Sequence, residues 1–362
     1  MIARTKGQVH IIGAGLLGTS IGLALHKLSV DVSLEDSSPA VTALSIDFGA
    51  GRSLSDTDRD LVSLVVVCVP PDVTASTVIK ALDRFPNAIV TDVASVKVAI
   101  LDTVKNSSSE NSRYVGSHPM AGREKGGALA GRADLFVGRP WLIAVDEDTR
   151  LDAVNRVEQL VLDLGATTVR LSAKEHDHAV ALVSHAPQIV SSLLAARLAK
   201  AEEFDLALAG QGLRDTTRIA ASDPKLWLQI LSMNANELLP IVKEFQQDLE
   251  SIVGALEDTK APGSLSKISN LLDQGNQGIS KLPGKHGARS TLYAQVVVMI
   301  DDKPGELARL LNEIGRAGVN IEDLQLDHAT GAQVGLVELS VLPAVESDLI
   351  ETLVTNGWRM AG

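Results

Sequence analysis

What this chain lacks sets its first bounds. A single cysteine, Cys68, among 362 residues rules out an intramolecular disulfide. It lies inside Leu64-Val65-Val66-Val67-Cys68-Val69 and reads as a buried packing thiol in a reducing cytoplasm. Phe, Trp and Tyr make up only 3% of the sequence, which leaves the core to Leu, Val, Ile and Ala. No apolar run reaches the roughly 18 residues of a membrane span, no repeat of about 20–50 residues is visible, and the start Met1–Gly7 does not read as a signal peptide. Basic residues are scarce, 33 against 45 acidic for a net charge of -12, which argues against nucleic acid or anionic membrane as a general partner. An anionic ligand must find local arginines.

The length allows two or three domains of roughly 100–200 residues each, and 45% hydrophobic residues suffice for real cores. Gln8-Val9-His10-Ile11-Ile12 reads as a buried strand, and Gly13-Ala14-Gly15-Leu16-Leu17-Gly18 then opens a helix with Leu17, Ile21, Ala24, Leu25 and Leu28 on one face. In that context Gly13 permits the tight turn, Gly15 lets a pyrophosphate approach the backbone, and Gly18 lets helix and strand pack closely. A second strand, Val30–Leu34, ends in Glu35-Asp36 at the spacing where a carboxylate bonds an adenine ribose. Asp36, with Glu35 as competitor, would repel a 2′-phosphate, so the pattern predicts NAD held by Gly13, Gly15, Leu16, Leu17, Gly18 and Asp36. His10, within the first strand, reads as a core histidine.

Strands and helices go on alternating through Leu64–Val69, a helix near Asp72–Leu82, Ala88–Thr91 and a helix after Ser95. Such uniformly apolar strands predict a doubly wound parallel sheet covered on both faces, with its ligand edge at the strands' carboxyl ends. Val69-Pro70, Asp92–Ser95 and Gly116-Ser117-His118-Pro119-Met120-Ala121-Gly122 should converge there with the glycine loop. The last stretch reads as a loop presenting His118, a ready general base beside a cofactor. Trp141–Val145 and Thr167–Leu171 look like further strands, closing a dinucleotide-binding domain at residues 1–172.

Beyond Leu171 the strand signals stop, and residues 173–282 read as an all-helical domain: a helix from Lys174 to Lys200, pieces around Leu206–Ala221, and a long helix from Asp223-Pro224. Ile189–Leu198 is too apolar for an exposed surface, so burial in its own domain or in a dimer is expected. Gly210–Arg218 brings Arg214 and Arg218, and Arg218 suits a substrate carboxylate, unless it pairs with Asp215 or Asp223. His176, Asp177, His178 and His185 have none of the established zinc spacings, and no metal is expected. Pro283–Ser290, with Lys285 and His286, reads as a linker. Residues 290–362 follow the order strand-helix-strand-strand-helix-strand of a ferredoxin-like α+β domain suited to binding or regulation.

Taken together, Gly13–Ser20, Asp92-Val93-Ala94-Ser95-Val96-Lys97, Gly116–Gly122, His176-Asp177 with Ser184-His185, and Asp215–Ala220 make the chain resemble the prephenate dehydrogenases over nearly its whole length, while Asp302–Leu307 with Gly318–Ile321 resembles ACT domains. The resemblance implies NAD-linked oxidative decarboxylation of prephenate to 4-hydroxyphenylpyruvate in tyrosine biosynthesis, by a cytoplasmic homodimer with tyrosine or phenylalanine as effector. It implies that His118 takes the ring-hydroxyl proton, that Ser95 bonds the hydroxyl and orients His118 and the nicotinamide, and that Arg218 holds a substrate carboxylate. Arg214, Glu124 and His185 would stand at or near the substrate. Many relatives have a second histidine where this chain has Gln188, which leaves arogenate as an alternative substrate. Two rivals are a β-hydroxyacid dehydrogenase, which would rely on a lysine in the helical domain, and a non-catalytic NAD- or amino-acid-sensing protein, which would have lost the base.

Overall fold

The computed structural model describes residues 2–122, 126–282, 293–328 and 334–361. By its internal contacts the chain forms two compact units, Met1–Gln246 and Gln247–Gly362.

The first unit is built on a parallel sheet of β1 (Gln8–Ile12), β2 (Val32–Glu35), β3 (Val62–Val67), β4 (Ile89–Asp92) and β5 (Tyr114–Val115), in the order β2-β1-β3-β4-β5. Alternation within β3 explains why it lies centrally. Leu64 and Val66 join one apolar cluster with Ile21, Leu25, Val157 and Leu160, while Val65 and Val67 join a second with Val78, Leu82, Ile100 and Val104. Both faces are thus covered by helices, as the apolar strands predict. The chain leaves β1 for β2 and then crosses to β3 on the other side, so the carboxyl ends of β1 and β3 flank the switch point where such sheets bind ligands.

The glycine loop sits in that crevice. Gly13 adopts φ 101, and a Cβ there would strike the Cys68 carbonyl; a Cβ on Gly18 would overlap the Gly13 carbonyl oxygen. Gly15 has nothing within 4 Å of its Cβ position. Cys68 itself is half-buried rather than wholly buried, because it has left β3 and stands beside this crevice; burial of the sulfur still pushes its pKa up.

The expected loop around His118 is a strand. β6 (Ser117–Pro119) pairs antiparallel with β7 (Pro140–Ala144), placing His118 opposite Leu142, and β7 pairs in parallel with β8 (Thr167–Leu171) in a separate three-stranded sheet. Backbone bonds Ala144 N to Gly116 O (2.8 Å) and Met120 N to Pro140 O (2.9 Å) extend that pairing, so a segment too short to show a period is set by its partner.

From Ala173 to Leu198 the chain is one helical run: Ala173–Val180, a π-helical turn Ala181–His185, and Ala186–Leu198. Ser172 and Glu175 cap its start reciprocally. An 18-residue window of the run, with mean hydropathy 1.5, would suit a bilayer by length and composition, yet the run buries His176, Asp177 and His185 among partners from other elements. The helix capped by Asp223 is shorter than expected. It ends at Met233, and Ala235–Glu257 follows, because Asn234 between them is turned inward to bond the Asp177 carbonyl (2.8 Å).

The second unit holds the helix Ser264–Ile279 and an antiparallel sheet of β9 (Ala294–Asp301), β10 (Asp323–His328), β11 (Val334–Val341) and β12 (Arg359–Met360), ordered β10-β11-β9-β12. Helices Glu306–Arg316 and Glu346–Thr355 bury Leu310, Ile314, Leu349 and Leu353 against Val296, Val298, Val337 and Leu339. The strand-helix-strand-strand-helix-strand order matches the sequence reading. Its first helix starts after Pro304 because Gly305 takes φ 95, and β10 starts after Val319. Lys285 and His286 lie outside the described residues.

The glycine geometry separates packing from access. Gly18→Ala should cost about 2–3 kcal/mol of unfolding free energy, since the obstacle is backbone, whereas Gly15→Ala should cost less than about 1 kcal/mol. Urea titration of the two variants checks this, and equal losses would refute it.

Candidate active site

The expected convergence is present along one sheet edge. The helix Leu16–Lys27 begins in the glycine loop with Gly15 at its cap, aiming unsatisfied amides outward. The two competing acids part company here. Asp36 accepts from Ala14 N and Ser38 N, both at 2.9 Å, and so belongs to the loop. Glu35 instead meets Arg84 (2.6 Å) and His10 (3.6 Å), which hold its pKa at about 2, His10 contributing most. His10 is buried and bonded to Ser33 Oγ (3.0 Å), a core histidine. Val69, half-buried, and Pro70, exposed, follow β3. The open space at Gly15, the helix start and Asp36 together fit a dinucleotide's pyrophosphate and ribose.

Beside this lies a buried polar cluster that sequence reasoning missed. Asp92, at the end of β4, pairs with the Lys97 ammonium, accepts Tyr114 Oη (2.6 Å) and accepts Ala94 N (2.8 Å). Burial, with Asp92 adding to it, pushes the Tyr114 phenol well above its usual pKa. Ser117 Oγ donates to Asp92 O (2.7 Å) and receives Trp141 Nε1 (2.9 Å), fixing β6 against the β4 edge. Ser95, half-buried on the loop between Asp92 and Lys97, has a hydroxyl without a partner among the described residues.

His118 Nδ1 lies 2.9 Å from His176 Nε2, and His176 Nδ1 lies 2.7 Å from Asp177 Oδ1. The Asp177 carboxylate also receives Lys97 N and Val98 N, each at 2.8 Å. Burial above all, then repulsion from His176, Lys97 and His185, holds His118 well below the usual histidine pKa. At neutral pH its ring is uncharged, the form a base requires. His185 is buried, with Nδ1 3.0 Å from Asn234 Nδ2 and Nε2 without a partner among the described residues; burial brings its pKa down to about 4.

The helical segment supplies the remaining expected residues. Gln188 is buried and donates to Ser192 Oγ (3.3 Å). Its helix packs on both Gln211–Thr217, which carries an exposed Arg214, and the turn Arg218–Ala220, where Arg218 is exposed. Asp223 caps the next helix and Asp215 accepts Gln211 Nε2 (2.8 Å). Glu124 lies outside the described residues. The histidine cluster separates: His176 turns to His118, while His178 is exposed and meets Glu237 (2.9 Å). Lys97, His176 and Asp177 stood within motifs already noted, and their i, i+5 or adjacent spacing gave no sign of shared burial.

Two family models match the chain: "Prephenate dehydrogenase, nucleotide-binding domain" over residues 21–170, and "Prephenate dehydrogenase, dimerization domain" over 172–270. "Probable prephenate dehydrogenase NovF" of Streptomyces niveus is 34% identical over 355 residues, 96% of this chain and 98% of that protein. The crystal structure of Synechocystis arogenate dehydrogenase is 25% identical, with TM-score 0.62, over 76% of this chain and 99% of that one. A prephenate dehydrogenase structure from A. aeolicus, in complex with hydroxyphenyl propionate and NAD+, shares the fold at 24% identity and TM-score 0.65, over 75% of this chain and 98% of that one.

Three depressed histidines set a pH dependence. Unfolded, His118, His176 and His185 titrate near 6.5; folded, each titrates lower, His185 at about 4. Between those values the unfolded chain binds more protons, so stability is full above pH 6.5 and falls as pH drops toward 4. Denaturant unfolding across this range should show proton uptake on unfolding, and a flat profile would contradict it.

Proposed function

This chain belongs to the prephenate dehydrogenase family, and we propose that it oxidatively decarboxylates prephenate to 4-hydroxyphenylpyruvate with NAD. The observation that carries the reading is the placement of His118, bonded to His176 of the helical segment and held on a strand tied to the Asp92–Lys97 loop, at the edge that bears the glycine loop. NAD, when bound, supplies the hydride acceptor. Gly13, Gly15, Leu16, Leu17 and Gly18 hold its pyrophosphate, Asp36 its ribose, and Val69, Pro70 and Ser95 line the approach. A carboxylate already fixed on the loop at Asp36 disfavours a 2′-phosphate.

His118 takes the proton of the ring hydroxyl as hydride leaves the same carbon. The ring carboxylate departs as carbon dioxide, its bonding electrons restore the aromatic ring, and the proton on His118 returns to the phenol oxygen. The unpartnered Ser95 hydroxyl bonds the substrate hydroxyl and orients His118. Arg218 pairs with a substrate carboxylate, an arrangement that lets an acidic protein hold a dianion. Arg214 and His185 Nε2 add substrate contacts on this reading, and Glu124, outside the described residues, keeps the substrate-contact role that the sequence resemblance gives it. Gln188, with a carboxamide where many relatives have histidine, faces the substrate tail; that difference supports arogenate as the second reading.

We assign residues 1–172 to NAD, 173–282 to substrate and dimerisation, and 290–362 to an ACT domain that takes tyrosine or phenylalanine. Leu193 and Leu228, 61% and 72% exposed, give the helical segment apolar area suited to a second copy. The enzyme is thus a cytoplasmic homodimer, and sedimentation of the full chain at micromolar concentration should give twice the monomer mass.

Steady-state assays of prephenate and arogenate, each with NAD and NADP, test the assignment; prephenate with NAD should have the highest kcat/KM, and no turnover of either substrate would overturn it. His118→Asn should lower turnover on the order of 10²–10⁴ while sparing NAD binding. Because protonated His118 cannot act as base, kcat/KM should fall on the acid side only below 6.5. Arg218→Ala should raise the substrate KM, and an unchanged KM would count against its role.

A further inference from the structure

Resting on the dehydrogenase reading and extending it, we infer that His176 and Asp177 are positioning residues that fix the tautomer of His118, leaving Nε2 as the atom with the free lone pair. The derivation starts at Asp177, whose carboxylate accepts the obligatory donors Lys97 N and Val98 N at 2.8 Å, at the start of the helix Val98–Ser107. A carboxylate that receives two backbone amides is oriented by them and presents acceptor oxygens to its neighbours. Its Oδ1 lies 2.7 Å from His176 Nδ1, and two acceptors cannot bond, so Nδ1 bears the proton. A neutral imidazole has one N–H, which makes His176 Nε2 an acceptor. That atom lies 2.9 Å from His118 Nδ1, which must therefore be the donor. By the same rule His118 Nε2 is bare.

Other groups around these rings keep the arrangement in place. The Lys97 ammonium is tied to Asp92, and His185 Nδ1 receives Asn234 Nδ2, whose other hydrogen goes to the Asp177 carbonyl (2.8 Å). Neither competes for His176. When the substrate hydroxyl gives its proton to Nε2, the O–H bond breaks, an N–H bond forms, and the new imidazolium charge is met through Nδ1–H by His176 and, behind it, Asp177. No proton need leave the pair, and the one on Nε2 returns to the product oxygen. The His176 ring does for His118 what a buried carboxylate does for the histidine of a serine-protease triad.

Replacing His176 with Gln keeps an acceptor oxygen for His118 Nδ1–H, whereas Leu removes it. His176→Leu should lower kcat on the order of 10²–10³, with KM for substrate changed less than about 3-fold, and His176→Gln should recover most of that loss. Asp177→Asn, which can turn an N–H toward His176 and reverse both tautomers, should lower kcat at least as far as Leu at position 176. Equal loss in the Gln and Leu variants, or normal kcat in Leu, would overturn the inference. Nitrogen-15 NMR of the wild-type chain labelled at histidine gives the answer without any activity. His118 should show protonated Nδ1 and unprotonated Nε2 at pH 7.5, and the reverse pattern would refute the relay even if the enzyme turns over prephenate. The expected pattern in a chain that turns over neither substrate would instead uphold the relay and reject the proposed reaction.

Discussion

The carboxylate of Asp177 is the point on which the first unit's chemistry depends. It stands on a helix of the 173–198 run, yet its oxygens are held by amides 80 and 79 residues earlier, at the edge of the parallel sheet. Charge-assisted bonds of this kind are each worth roughly 1.5–3 kcal/mol, more than most single contacts, and here they also set direction. The same residue holds His176 by its side chain and Asn234 by its carbonyl. Three elements distant in sequence therefore share one anchor, and His118 inherits its orientation from it.

Two buried polar systems meet at this edge and differ in kind. In the Asp92 cluster, Lys97, Tyr114, Ser117 and Trp141 all have their bonds made inside the protein. Satisfied networks of this sort rigidify a core. Around the His118–His176 pair the accounting is incomplete: among the described residues His185 Nε2 is buried without a partner. A buried polar atom left open costs stability, and such costs concentrate where a ligand completes the bonding. The rigid system thus frames the unsatisfied one.

Much of the fold could be read from local pattern. The apolar strands, Gly13–Gly18 and the helix run from Ala173 carry their signals within a dozen residues, through periodicity and turn chemistry. The strand at Ser117–Pro119 could not be read this way, because three residues show no period and its partner lies past residue 140. The choice between Glu35 and Asp36 stayed open for a similar reason; Arg84, 49 residues on, is what draws Glu35 away from the loop. The break at Asn234 and the meeting of His118 with His176, 58 residues apart, likewise depend on contacts that no window of sequence contains. At the site, residue types were legible and their pairings were not.

The π-helical turn at Ala181–His185 bears on which way His185 faces. Nine residues along a regular α-helix amount to about 180° of net rotation at ~100° per residue, which would put His176 and His185 on opposite sides of their helix. One surplus residue taken up in a wide turn subtracts about 100° and brings the two rings to within roughly 80°. Both can then face inward, and Asn234 can reach the carbonyl beside one and the nitrogen of the other. The pocket wall thus depends on helical phase. Removing one residue of Ala181–Ser184 would let the turn close to a regular α-helix with eight residues, again about 80°, between the two rings, whereas the same removal within Ala186–Leu198 would turn every side chain beyond it by about 100°.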